Sequence, residues 1–142
     1  MYPIFNIRVY GLLINSDEEV LITDELRFGK AMTKFPGGGM HFGEGTIECL
    51  KREFREELGC EIEVIKHFYT TDYFQSSAFH SDHQLISIYY VVKGTPTLKG
   101  EKEPKEENDQ SFRWISLSEI SENDFTFPID KKVAQLLRNY EA

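Results

Sequence analysis

Three glutamates, Glu53, Glu56 and Glu57, stand at spacings i, i+3 and i+4 in the segment TIECLKREFREEL. In a helix of 3.6 residues per turn they share one stripe, where like charges repel unless a positive group lies among them. Carboxylate oxygens are the ligands that Mg²⁺ and Mn²⁺ prefer, and no Cys or His shares the stripe. The spacing therefore suits a site for one of these cations better than a zinc site.

The same acids also fit an ordinary solvated helix face, with Arg52 and Arg55 as ion-pair partners of Glu56 and Glu57. For an isolated acidic helix this is the simpler interpretation, and the residues around the acids decide against it. Their order is Gly38, five residues, Glu44, seven residues, Arg52-Glu53-Phe54, one residue, Glu56-Glu57, one residue, Gly59-Cys60. This pattern resembles the signature of the Nudix hydrolases.

The resemblance implies an α/β (α+β) fold, an α/β/α sandwich with a mixed sheet whose signature forms a loop, helix and loop. It also implies Mg²⁺-dependent hydrolysis of a diphosphate linkage, very often in a nucleoside diphosphate derivative such as a nucleoside triphosphate, ADP-ribose or a nucleotide sugar. Mn²⁺ is a possible replacement for Mg²⁺. The metal ligands carried over by position are Glu53, Glu56 and Glu57, with the carbonyl of Gly38 or Gly39.

The other signature residues receive supporting roles. We expect Glu44 to order the loop or to reach the metal through water, and Arg52 to pair with an acid and hold the loop against the helix. The general base stays open, because Glu56 competes with acids of the segment 101–109, namely Glu103, Glu106, Glu107 and Asp109.

Substrate-binding residues are sought outside the signature. Arg27 and Lys34 precede the glycines in or just after a segment, 24–33, that is predicted to be a mobile loop. Tyr73, Phe74 and Phe79 could stack on a base, although packing is the commoner fate of such aromatics. His80 and His83 are expected to be ordinary loop residues.

Two other functions are compatible with the same fold. A non-catalytic nucleotide-binding sensor is the alternative, but none of the signature glutamates is lost. An isomerase of isoprenoid diphosphates would need a further catalytic Cys and acid, and the positions of Cys49 and Cys60 in or beside the helix do not suit that role.

Composition sets the wider limits. At 142 residues with 40% apolar side chains, we expect residues 1–142 to form a single domain. A net charge of −8 disfavours nucleic acid and anionic membranes as partners, so a phosphate-bearing small molecule is expected. The start of the chain resembles no signal peptide, which predicts a cytoplasmic protein with reduced cysteines. The sequence leaves monomer and homodimer open.

Periodicity predicts the elements that position these residues. In the central helix the apolar stripe comprises Ile47, Leu50, Phe54 and Leu58, and it is expected to pack on a sheet. The predicted strands cover residues 4–14, 20–23, 61–74, 84–93 and 111–115, and further helices are predicted for the segment SLSEI (116–120) and for 128–140.

Overall fold

The computed structural model describes residues 2–98 and 100–140. Two β-sheets and two α-helices make up the fold. The strands are β1 Ile4–Leu13, β2 Glu19–Arg27, β3 Lys30–Lys34, β4 Gly37–Gly39, β5 Ile62–Thr70, β6 His83–Gly94 and β7 Gln110–Ser116. The helices are α1 Thr46–Leu58 and α2 Pro128–Leu137, with a short 3₁₀ helix at Glu122–Asp124. The predicted mixture of helices and strands is confirmed.

The first sheet has the strand order β4-β1-β6-β5, and the second has the order β3-β2-β7. The first sheet is mixed, because β1 runs parallel to β6 while its other neighbour, β4, is antiparallel. The second sheet is antiparallel throughout. Pairing of β1 with β4 places Gly38 opposite Val9, so the glycine-rich strand is fixed at one edge of the mixed sheet.

Helix α1 begins after Gly45 and ends at Gly59, whose φ of 56° gives the left-handed C-terminal cap expected from its type. Leu50, Phe54 and Leu58 are buried as predicted, but Ile47 is 42% exposed. Cys49 is fully buried in its place. The face turned toward the protein is thus rotated toward Cys49 and Glu53, because α1 packs on β4 as well as on the apolar side of β1.

The predicted mobile loop at 24–33 is wrong. Strand β2 continues to Arg27 because its pairing with β7 extends to Glu25 opposite Gln110, and β3 returns from Lys30. Phe28 and Gly29, with φ of 53° and 70°, form the turn of this hairpin.

Three smaller boundaries also differ from prediction. The segment 116–120 is a turn rather than a helix, in which the N–H groups of Glu119 and Ile120 both donate to the carbonyl of Ser116. Strand β5 ends at Thr70, four residues before the predicted end, and α2 ends at Leu137. The strand at 84–93 is confirmed and gains one residue at each end.

Both cysteines are free and buried, as predicted. Within residues 2–98 and 100–140, no helix is long and apolar enough to cross a membrane.

The burial pattern of α1 gives a matched pair of stability predictions. Leu50→Ala removes a fully buried side chain and leaves a cavity, so we expect a loss of about 2–5 kcal/mol in the free energy of unfolding. Ile47→Ala on the exposed side of the helix should change it by no more than about 0.5 kcal/mol. Urea unfolding of both variants measures the difference, and equal losses would contradict the orientation of α1.

Candidate active site

One guanidinium closes the loop in front of α1. Arg52 Nε donates to Glu44 Oε2 at 3.0 Å, and Nη2 donates to Glu44 Oε1 at 2.8 Å and to the carbonyl of Gly39 at 3.0 Å. Glu44 Oε1 also accepts from the backbone N–H of His41 at 2.8 Å. The bond from Arg52, followed by that from His41, lowers the pKa of Glu44 to about 2. The loop between β4 and α1 is therefore tied to the helix by a two-pronged ion pair.

The same guanidinium reaches two of the predicted metal ligands. Arg52 Nη1 donates to Glu53 Oε1 at 3.0 Å and to Glu56 Oε2 at 3.1 Å. The Glu53 side chain is only 13% exposed, whereas that of Glu56 is 58% exposed. Both carboxylates thus bind the guanidinium of Arg52, but Glu53 faces the protein and Glu56 faces solvent.

Glu53 lies directly against the backbone of Gly38. A Cβ atom at position 38 would stand 2.6 Å from Glu53 Oε1, a distance that real Cβ atoms do not adopt. A side chain at Gly38 would therefore displace the carboxylate. Glycine at this position lets the backbone of β4 and the acid share one small space, as a common ligand set requires.

Glu57 lies one turn after Glu53 and is differently placed from the other acids. Burial raises its pKa to about 7; the ammonium of Lys34 opposes this shift, and the carboxylates of Glu53 and Glu25 add to it. In the described part of the chain no Lys or Arg nitrogen forms an ion pair with Glu57 within 4.0 Å. Gln110 Nε2 lies 3.5 Å from its Oε2 atom.

The donor set fits a hard divalent cation. It consists of carboxylate and carbonyl oxygens, and Glu57 is a partly buried acid beside other acids without a close cationic partner. Among residues 2–98 and 100–140, no three Asp, Glu, His or Cys side chains already stand in metal-binding geometry. In this structure the carboxylates of Glu53 and Glu56 are bound by Arg52.

A further buried acid was not predicted. Glu25 on β2 is 3% exposed and pairs with Lys34 Nζ at 3.3 Å and with Arg27 Nε at 3.2 Å. Gln110 Nε2 joins it to the glutamates of α1, donating to Glu25 Oε2 at 3.1 Å. The prediction that β2 stops at Thr23 hid this residue, since continued alternation would have placed Glu25 on the inward face with Leu21 and Thr23.

A cavity of about 420 Å³ opens beside these charges. Two predicted substrate-binding residues, Arg27 and Lys34, line it, as does His80. Tyr73 and Phe74 are not among its lining residues. Three phenylalanines, Phe28, Phe79 and Phe127, do line it and form its aromatic rim. The ring of Phe79 contacts the rings of both Phe28 and Phe127.

The polar groups inside the cavity include a buried pair that the sequence analysis missed. Tyr89 Oη donates to Asp130 Oδ1 at 2.6 Å. Burial raises the pKa of Asp130 to about 6, and the hydrogen bond from Tyr89 and the positive charges of Lys34 and Arg8 oppose the shift. No spacing rule marks this pair, because 41 residues separate its members.

Two of the predicted general-base candidates have structural contacts. Glu107 accepts from the N–H groups of Phe28 and Gly29, which lowers its pKa and holds the β2–β3 turn. Asp109 accepts from the N–H groups of Lys105 and Glu106. Glu103 and Glu106 are exposed in the same segment.

The sequence matches one known protein family. A family model for the NUDIX domain matches residues 5–137. The chain is 25% identical over 130 residues to 8-oxo-dGTP diphosphatase of Escherichia coli K12, covering 90% of this chain and 93% of that protein. It is 26% identical over 109 residues to the NAD-capped RNA hydrolase NudC of Pseudomonas aeruginosa LESB58, covering 77% of this chain. The matched region spans only 36% of the NudC protein.

Solved structures share the fold. The MutT protein from Methanosarcina mazei Go1 superposes with a TM-score of 0.70 at 20% identity, covering 97% of this chain and 96% of that chain. The ORF135 protein of E. coli gives a TM-score of 0.71 at 20% identity, covering 95% and 91%. At this identity the likeness concerns the fold alone.

The contacts of Arg52 lead to a test of the loop. Arg52→Lys keeps the charge but cannot make the forked contact to Glu44 together with those to Gly39 and Glu53. We expect a lower melting temperature and several-fold faster proteolytic cleavage within residues 40–45. Arg55→Lys is the matched control, because Arg55 pairs only at the surface with Glu61. Equal behaviour of the two variants would show that the loop does not depend on Arg52.

Asp130 predicts a dependence of stability on pH. Its pKa is about 6 in the folded chain against an ordinary value of 3.8, so the folded state binds the proton more tightly. Its protonation therefore stabilises the fold below about pH 4, and this contribution is lost as the pH rises through 6. Relative to Asp130→Asn, the wild-type chain should lose about 2 kcal/mol between pH 4 and pH 7. Urea unfolding of both proteins from pH 4 to pH 7 measures this, and parallel curves would refute it.

Proposed function

The chain belongs to the Nudix family of pyrophosphohydrolases, and we propose that it hydrolyses a diphosphate linkage of a nucleotide-derived small molecule with Mg²⁺ as cofactor, Mn²⁺ being a possible replacement. The observation that carries the proposal is the packing of Glu53 against Gly38, together with the link through Gln110 from Glu57 to Glu25, which lines the cavity beside Lys34. We propose that residues 1–142 act as one catalytic domain.

Glu53 and Glu57, with Glu56 and the carbonyl of Gly38, would hold the cation. A bound divalent cation neutralises the charge of a diphosphate, orients it and lowers the pKa of a bound water. Glu53 is kept against Gly38 by close packing, and Glu57 is kept among buried polar groups by Gln110. These residues need little rearrangement of the backbone to act together, because α1 and β4 are already in contact.

Arg52 and Glu44 would keep the loop in place during turnover. Their bonds fix the carbonyl of Gly39 and the N–H of His41, so the loop retains its shape when the charge on the site changes. For the general base, Glu56 is favoured over Glu107 and Asp109. The last two already accept backbone hydrogen bonds, whereas Glu56 is largely exposed and adjacent to Glu57.

The cavity would hold the part of the substrate beyond the diphosphate. Its volume of about 420 Å³ is in the range of small-molecule sites. The aromatic side chains of Phe28, Phe79 and Phe127 offer surfaces on which a nucleobase stacks, and Asp130 with Tyr89 offers polar partners. A relative of similar length acts on 8-oxo-dGTP, which supports a nucleoside triphosphate as the first substrate to test.

The metal site is tested by one isosteric variant. Glu57→Gln keeps the size of the side chain but removes the charge of a ligand, so turnover should fall by roughly a hundredfold or more. Calorimetry should show weaker Mg²⁺ binding, and without metal the melting temperature should be at or above that of the wild type, because a buried carboxylate beside other acids is removed. Glu63→Gln, on the exposed part of β5, is the control and should retain wild-type values for both. A folded Glu57→Gln variant with full activity would remove Glu57 from the proposed site.

The substrate class is tested by phosphate release with and without Mg²⁺ from nucleoside triphosphates, ADP-ribose, nucleotide sugars and dinucleoside polyphosphates. Free phosphate is read after adding a phosphatase or pyrophosphatase where the direct products do not include it. We expect metal-dependent cleavage of at least one member, nucleoside triphosphates being the first choice. Cleavage that persists in the presence of a chelator would contradict the role of the metal.

A further inference from the structure

Arg8 is a cation at the border of the cavity to which the proposed function gives no role. It lies on β1 opposite Gly39 of β4. Its Nη1 atom is 3.5 Å from the position that a Cβ atom on residue 39 would occupy. Arg8 also lines the cavity together with Tyr10 and Lys34. The guanidinium therefore borders both the glycine strand and the cavity.

The hydrogen-bonding capacity of Arg8 is only partly used. Its Nε donates to Tyr10 Oη at 2.7 Å, and the guanidinium lies 5.8 Å from the centre of the Tyr10 ring. Across residues 2–98 and 100–140, no Asp or Glu forms an ion pair with it within 4.0 Å, and its Nη atoms make no hydrogen bond. Tyr10 thus fixes the orientation of the fork and leaves its two Nη groups available for a ligand.

The two other cations that line the cavity, Lys34 and Arg27, both pair with Glu25. Lys34 Nζ lies 3.3 Å from Glu25 Oε2, and both side chains are largely buried. A partly buried guanidinium without an anionic partner is costly, since its desolvation is not offset by a close opposite charge. Within residues 2–98 and 100–140, Arg8 is thus the cation of the cavity wall with no carboxylate within ion-pair distance; Tyr10 beside it, and Glu53 and Asp130 farther away, raise its pKa.

We propose that Arg8 binds one phosphate of the substrate's diphosphate, namely the phosphate that carries the group held in the cavity. A guanidinium fork matches two phosphate oxygens and supplies two parallel charge-assisted hydrogen bonds. Its position between Gly39 and the cavity lies on the path from the glutamates of α1 to the aromatic rim. This inference rests on the proposed function, because it needs a diphosphate at the glycine strand.

Binding of methylenediphosphonate, a diphosphate analogue that is not hydrolysed, tests the role of Arg8 without turnover. Titration calorimetry in the presence of Mg²⁺ compares the wild-type chain with Arg8→Gln, Arg8→Lys and Arg138→Gln. Arg138 is the matched control, an exposed arginine at the C-terminal end of α2, whereas the cavity is lined by the N-terminal end of that helix.

We expect Arg8→Gln to weaken binding of the analogue roughly ten- to hundredfold, because charge-assisted hydrogen bonds are lost. Arg8→Lys keeps the charge but lacks the forked guanidinium, so its affinity for the analogue should lie between those of Arg8→Gln and the wild type. Arg138→Gln should bind as the wild type does. Affinity for Mg²⁺ alone should be the same in all four proteins. If Arg8→Gln does not fold, the loss in Arg8→Lys decides.

The outcomes separate this inference from the proposed function. Arg8 variants that bind the analogue within twofold of the wild type would overturn the role of Arg8 while metal-dependent phosphate release stands. Absence of any binding by the wild-type chain would also overturn it. Arg8-dependent binding without hydrolysis of any substrate would overturn the proposed hydrolysis and leave the phosphate contact standing.

Discussion

The guanidinium of Arg52 is the contact on which the arrangement of the site depends. It binds both oxygens of Glu44, the carbonyl of Gly39 and the carboxylates of Glu53 and Glu56. A single side chain therefore fixes the loop to α1 and offsets the repulsion between acids on one turn of helix. Lysine carries the same charge but lacks the planar fork, so the geometry of the cation matters as much as its sign.

A second constraint is the matching of charge in a partly buried place. Glu25 is neutralised by Lys34 and Arg27, and Gln110 connects Glu25 to Glu57. Among the residues that the structure describes, Glu57 has no cation within ion-pair distance, and burial raises its pKa. Electrostatic imbalance of this kind marks places where a ligand completes the set of charges, which agrees with a chain that belongs to a family of hydrolases acting on diphosphates.

The cavity depends on contacts that span the chain. Glu107 holds the turn at Phe28 and Gly29, although 79 residues separate Glu107 from Phe28. This turn places Phe28 in contact with Phe79, and Phe79 contacts Phe127 at the start of α2. Three segments remote in sequence thus build one aromatic rim. Of the three aromatic residues predicted to stack on a base, Phe79 lines the cavity, whereas Tyr73 and Phe74 do not.

The sequence by itself determined the amphipathic helix that carries Glu53, Glu56 and Glu57, its end at Gly59 and the family, whereas it predicted a loop where the structure has the strand Gly37–Gly39. These features depend on residues within one short stretch, where helical spacing and the conformational freedom of glycine act locally. The tertiary structure alone decided that Cys49 rather than Ile47 is buried, that Asp130 meets Tyr89 and that Arg8 borders the cavity. The pairing of distant strands fixes which way each side chain points, and no local spacing contains that information.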